Sequence, residues 1–188
     1  MSIEIIISLA IILLLVVWGV SVHNKFVKLK VLMDEGWSIV DVFLTKRSDS
    51  IGNLVESIKG YATHEQETLE SVIRARSQAM KAKDVESRIE SEENLGTALG
   101  RLMVVTENYP ELRANENFMF LQQEITELED EIEKARRYYN GTVRENNIAI
   151  KVFPASFIAG MFRFTDGKFY ETREKRQRES PQVSFKKN

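Results

Sequence analysis

Residues 118–139 read FMFLQQEITELEDEIEKARRYY, and this stretch decides the fold class. Phe118, Leu121, Ile125, Leu128, Ile132, Ala135 and Tyr139 recur at helical spacing and form one apolar stripe. Glu124, Glu127, Glu129, Glu131 and Glu133 fall mostly off that stripe, with Lys134, Arg136 and Arg137 near enough to pair with them, so the acidic ladder reads as a solvated face. The pattern continues through Val143, Asn146 and Ile150 to Phe153-Pro154, which predicts a helix of about 38 residues, roughly 57 Å long.

Working upstream, Val85, Ile89, Glu92, Leu95, Leu99, Leu102 and Thr106 outline another helix. It is expected to stop at Tyr109-Pro110, because proline disfavours helix in the residue before it. A polar stretch, Lys81 to Asp84, separates it from a seam of Ile51, Val55, Ile58, Ala62, Glu65, Leu69, Val72, Arg76 and Ala79. That seam is read as a separate helix, because periodicity lapses from Lys46 to Ser50 and Asp49 or Ser50 offers a capping oxygen. Before the lapse, Val22, Phe26, Leu29, Met33, Gly36, Val40 and Phe43 alternate steps of four and three, a heptad seam. Short connections between such helices imply antiparallel neighbours. The expectation is an all-α protein whose residues 23–165 form a long up-down four-helix bundle with left-handed packing.

The composition agrees. Nine Gly and three Pro against 29% charged residues leave too few turn formers for a protein of many short strands. The absence of cysteine excludes a disulfide frame, a thiolate metal site and a cysteine nucleophile. A formal net charge of −2 argues against nucleic acid as a partner, since binding it needs a basic excess to displace counterions.

At the N-terminus, residues 5–22 read IIISLAIILLLVVWGVSV without a charge, which as a helix covers about 27 Å, enough to cross a bilayer. Trp18 stands at the far end of this run, where an amphipathic ring suits the interface. Lys25, Lys28 and Lys30 follow it, with only Glu4 on the other flank, so the positive-inside rule predicts a short outer N-terminus, residues 1–4, and an inward-facing domain on the inner cell membrane. A cleaved signal peptide is the alternative. It fits less well, because no Lys or Arg precedes the apolar run and the only small pair for cleavage is Gly19 and Ser21. The span holds no pair of small residues four apart that would specify dimerisation.

From Trp37 the chain reads WSIVDVFLTKRSDSIGNLVESIKGYATHEQETLESVIRAR, and further motifs follow in order: Glu107-Asn-Tyr-Pro-Glu-Leu-Arg-Ala114, Phe118 with Leu121-Gln122, Arg136-Arg-Tyr-Tyr-Asn140, Asn146-Asn147 and Phe153-Pro154. Together these resemble the LemA family of bacterial membrane proteins. The resemblance implies one N-terminal span and an antiparallel helical bundle, and it implies no enzymatic activity. One departure is Gly52, where the family pattern usually has proline in the turn entering the second helix.

Chemistry-bearing motifs fail one by one. His23 and His64 are the only histidines, and His64-Glu65-Gln66-Glu67-Thr68 lacks the second zincin ligand at Thr68. A di-iron bundle needs Glu three residues before His, and Tyr61 stands there. No catalytic residue, metal ligand or cofactor site is expected. Glu65 and Arg76 on the second seam, and Tyr139, Asn140 and Asn146 along the last helix, are read as buried polar residues that fix register between helices.

Ala155 to Met161 is expected to add a turn or two of apolar helix. Phe157, Ile158, Met161, Phe162 and Phe164 are too apolar for a free loop and are read as covering the bundle end, a protein partner or lipid headgroups. Residues 166–188 form a polar, basic tail expected to be disordered. The functional expectation is a membrane-tethered, non-enzymatic interaction or scaffold protein. Its partners are the bilayer through residues 5–22, a membrane or cytoplasmic protein, and copies of itself; the alternative is a lipid-organising protein acting through self-assembly.

Overall fold

The computed structural model describes residues 3–62 and 64–171. These are helical throughout their regular structure, with no strand among them. Six helices follow in order: α1 (Ile3–Lys59), α2 (Gln66–Lys81), α3 (Val85–Thr106), α4 (Pro110–Arg113), α5 (Glu116–Lys151) and α6 (Ala155–Met161). The basic segment from 172 onward lies outside the described residues.

The first seam and the start of the second belong to a single helix, contrary to the expected break at 46–50. α1 runs unbroken for 57 residues, and Ile51, Leu54, Val55 and Ile58 are its last buried turns. The apolar periodicity lapses because polar side chains take over the buried face: Arg47, Ser48 and Ser50 are all buried. Gly52 is accommodated within the helix, and the guanidinium of Arg76 lies over it, so that a Cβ there would meet Arg76 Cζ at 3.0 Å. The real break comes after Lys59, at Gly60-Tyr61.

Helix ends follow local chemistry. Asp84 caps α3, its carboxylate accepting from the Ser87 backbone N–H at 2.9 Å. α3 stops at Thr106, and Pro110 opens the single turn of α4, where its missing N–H and fixed φ cost nothing. Asn115 Oδ1 accepts from Phe118 N–H at 3.1 Å and closes the start of α5.

The described residues fall into two compact units. One comprises residues 43–132 with 170 and 171, the other residues 3–42 and 133–169. The first, the core unit, has an apolar interior drawn from α1, α2, α3, α4 and α5, with Ile51, Ile58, Val72, Leu95, Leu102, Leu112 and Phe118 almost wholly buried. In the second unit α1 and α5 come close at Gly36, where an added Cβ would meet the Tyr139 Cα at 3.3 Å. There Phe26, Ile150 and Ala159 form a small buried cluster with Val22, Ile158 and Phe164 packed on it. The N-terminal part of α1 contains a window long and apolar enough to cross a membrane, none of it buried.

Candidate interaction site

The buried charge of the core unit is an ion network centred on Arg47. Its guanidinium donates to Glu92 on α3 and to Glu129 on α5, and Arg88 Nε stands 3.1 Å from the other oxygen of Glu92. Arg47, Arg88 and Glu92 are buried, whereas the Glu129 side chain is 47% exposed. Two guanidinium groups face two carboxylates, so the cluster is neutral. Burial alone would lower the Arg47 pKa, but Glu129 and Glu92 outweigh it and the net direction is upward, so this cation keeps its proton. Arg88 also donates to the Ala79 carbonyl at the end of α2, which ties α2 and α3 together. Such an arrangement holds helices in place, and its one exposed member is the Glu129 carboxylate. Among the described residues, no group of three or more acidic or histidine side chains is placed to hold a metal ion.

The residues expected to set register are spread over both units. Glu65 and Arg76 are half-buried and do not meet: Glu65 accepts from Tyr109 Oη at 3.3 Å, while Arg76 donates to the Ser48 carbonyl at 2.6 Å and to Asp49 at 3.2 Å. Tyr139 and Asn146 are buried and Asn140 is half-buried. Tyr139 and Asn146, with Asn147, grip the segment that follows α6. Tyr139 Oη donates to the Lys168 carbonyl at 2.8 Å, and Asn146 Nδ2 donates to the Thr165 carbonyl at 3.3 Å. Asn147 donates to the Gly167 carbonyl at 3.0 Å and accepts from the Gly167 N–H at 2.7 Å. Burial, and after it the Asp34 carboxylate, pushes the Tyr139 phenol above its ordinary pKa, which keeps it a donor. Gly167 and Lys168, at the start of the expected tail, are therefore held in place.

The sequence missed Arg47 because it stands in the stretch where periodicity fails. Its partner Glu92 was visible as a carboxylate on an otherwise apolar stripe, and that was the available signal.

The second unit also carries an open apolar groove. A groove of about 420 Å³ is lined by Val22, Phe26, Leu29, Ile148, Ala149, Val152 and Ala155, with Lys25 and Glu145 its only charged lining residues. Beside it α6 turns its inner side to α1: Ile158 and Phe164 are half-buried, while Phe157, Met161 and Phe162 are exposed. His23 meets the rings of Phe162 and Phe164 edge-on at 4.6 and 5.5 Å.

The LemA family profile matches residues 36–185, most of the chain. The chain belongs to the LemA family. Protein LemA of Metamycoplasma hominis is 28% identical over 123 residues, 65% of this chain and 56% of that one. Magnetosome proteins MamQ 1 and MamQ 2 of Paramagnetospirillum magneticum are each 32% identical over 76 residues, 40% of this chain and 28% of theirs. The chain thus matches little more than a quarter of the length of the MamQ proteins and just over half of the M. hominis protein. The LemA motif residues Tyr139, Asn146 and Asn147 are those that hold 165–168, and Tyr109-Pro110 joins the Glu65 contact to the start of α4.

Proposed function

We propose that this LemA-family chain is a membrane-anchored, non-enzymatic interaction module. In this reading residues 5–22 cross the inner cell membrane with residues 1–4 outside. The helices of 23–165 are an antiparallel up-down bundle on the cytoplasmic side, and 166–188 a basic tail. The observation that carries the reading is α1: one helix holds both an unburied stretch fit to span a bilayer and the buried residues of the core unit. Two others support it. The buried charges are neutralised once the exposed Glu129 carboxylate is counted with them, as a structural network requires, and the groove beside α6 is apolar, as partner surfaces are. The family resemblance carries no enzymatic activity with it. That a segment of 76 residues is shared with the MamQ proteins, which extend well beyond it, is what a reusable module would give.

Crosslinking the full-length protein in its native membrane, with a chain lacking residues 1–22 as control, tests the proposal. A protein partner captured in fixed ratio and only with the anchor present is the expected result. Crosslinks confined to other copies of the chain and to lipid would sink it in favour of a lipid-organising protein acting through self-assembly. That second reading is favoured by the exposed aromatic residues in and beside α6, Phe153, Phe157 and Phe162.

A further inference from the structure

The apolar stretch of α1 ends at Val22, and α6 packs inside that limit. A Cβ on Gly19 would lie 3.8 Å from Ile158 Cδ1, and Gly19 is three residues before Val22, about 4.5 Å within the run at the helical rise. Phe162 and Phe164 then meet His23, and Phe164 meets Phe26 at 5.2 Å, so the segment climbs α1 across the end of the apolar stretch. Its height relative to α1 is set by these contacts within one unit. The other side of α6 is open: Phe157 is 69% exposed and Met161 71%. Phe153 lies in the turn before α6, and its ring stands edge-on to Phe157 at 5.9 Å, so it extends this open apolar side.

We propose that α6 is a second membrane contact, in which this open side, Phe153, Phe157 and Met161, with Phe162, sits in the interface of the leaflet from which α1 emerges. The occupant of this surface is phospholipid, because a face fixed at the end of a transmembrane stretch meets headgroups and upper acyl chains before it meets a protein. Amphipathic helices lie about 5–10 Å into that zone, and Ile158 on Gly19 sets a depth of the same order. The end of α6 adds a second observation. Arg163 takes the left-handed conformation, φ 57°, in a closing motif where Phe164 N–H bonds to the Ala159 carbonyl at 3.0 Å. Glycine takes that conformation without strain, whereas here an exposed guanidinium stands next to Phe162, at the height of phosphate groups.

The inference rests on the anchor reading, and the test separates the two. The chain has no cysteine, so single cysteines carry one environment-sensitive dye each. Full-length Phe157→Cys, Met161→Cys, Val16→Cys and Tyr138→Cys are labelled and placed in phosphatidylcholine–phosphatidylglycerol vesicles holding nitroxide lipids. Phe157 and Met161 are exposed, so either label leaves the packed side of α6 intact. Quenching by shallow nitroxides is expected at 157 and 161, by deep nitroxides at 16, and not at 138, with intensity falling by about half or more at the contacting sites. Quenching at 16 with 157 and 161 as silent as 138 would overturn the inference and leave the anchor standing. Silence at 16 as well would remove both.

Discussion

Asn147 holds both polar groups of the Gly167 peptide, donating to its carbonyl at 3.0 Å and accepting from its N–H at 2.7 Å. Gly167 has no room to move toward α1, since a Cβ there would come within 2.2 Å of Met33 Sδ. The side chain of one helix thus acts as a short strand partner for the segment returning along α5.

Asn147→Ala removes both bonds and leaves the Gly167 N–H without its partner, which costs about 1–3 kcal/mol. For a chain of this size that corresponds to roughly 2–4 °C in Tm per kcal/mol, measured by circular dichroism on the full chain in detergent. Limited tryptic digestion gives a local readout, since cleavage after Arg163 and Lys168 is expected to accelerate before the core unit is touched. A variant that melts earlier with unchanged cleavage at these sites would show that Asn147 acts elsewhere.

Arg47 and Arg76 are expected to differ sharply when changed to methionine. Arg47→Met leaves Glu92, whose side chain is 2% exposed, with Arg88 as its one remaining cation, and losing one partner of a buried pair costs about 3–5 kcal/mol. The Arg76 side chain is 32% exposed and its carboxylate partner Asp49 62%, so Arg76→Met should cost about 1 kcal/mol or less. Changing Arg47, Glu92 and Arg88 together to apolar residues of similar volume should recover much of the loss. Equal melting shifts for the two single variants would contradict the placement of the ion network.

Legibility follows from how far apart the interacting residues lie. The stripe of α5, the stop before Pro110 and the apolar run of α1 are written within a few turns of sequence, and all three appear as read. The path from α1 to α2 was misread because helix continuity there depends on polar side chains. Arg47 lies 82 residues from Glu129 and 45 from Glu92, so nothing local marks its place in the interior. Asn146 stood out as a polar residue near a stripe and Asn147 only within a family motif, yet their partners are backbone groups of 165 and 167, to which side-chain periodicity is blind.

Asp84 gives the chain a weak acid dependence. Hydrogen bonds from the Ser87 hydroxyl and backbone hold its carboxyl below the ordinary value. A carboxylate with a folded pKa below the unfolded one stabilises above the unfolded value, near 3.9, and loses that contribution as pH falls through the folded value. Asp84→Asn keeps a capping oxygen but has no charge to titrate. The gap in Tm between parent and variant should be constant from neutral pH to about 5 and shrink only in the acid range below the unfolded pKa. A gap that changes between pH 6 and 8 would point to a different group.

Two helical glycines test the close approach of α1 and α5. Gly96 on α3 is exposed and a Cβ there meets nothing within 4 Å, so Gly96→Ala should stabilise by about 0.5–1 kcal/mol through helix propensity alone. Gly36 is buried, and its Cβ would meet Tyr139 Cα at 3.3 Å and Thr142 Oγ1 at 3.4 Å. Backbone cannot swing aside as a side chain can, so the crowding should cancel the propensity gain in Gly36→Ala and exceed it in Gly36→Val, at about 1–3 kcal/mol. Because Tyr139 also carries the bond to Lys168, Gly36→Val should expose the tryptic site at Lys168 as Asn147→Ala does. A stabilised Gly36→Val variant would show that the two helices are not in contact at this point.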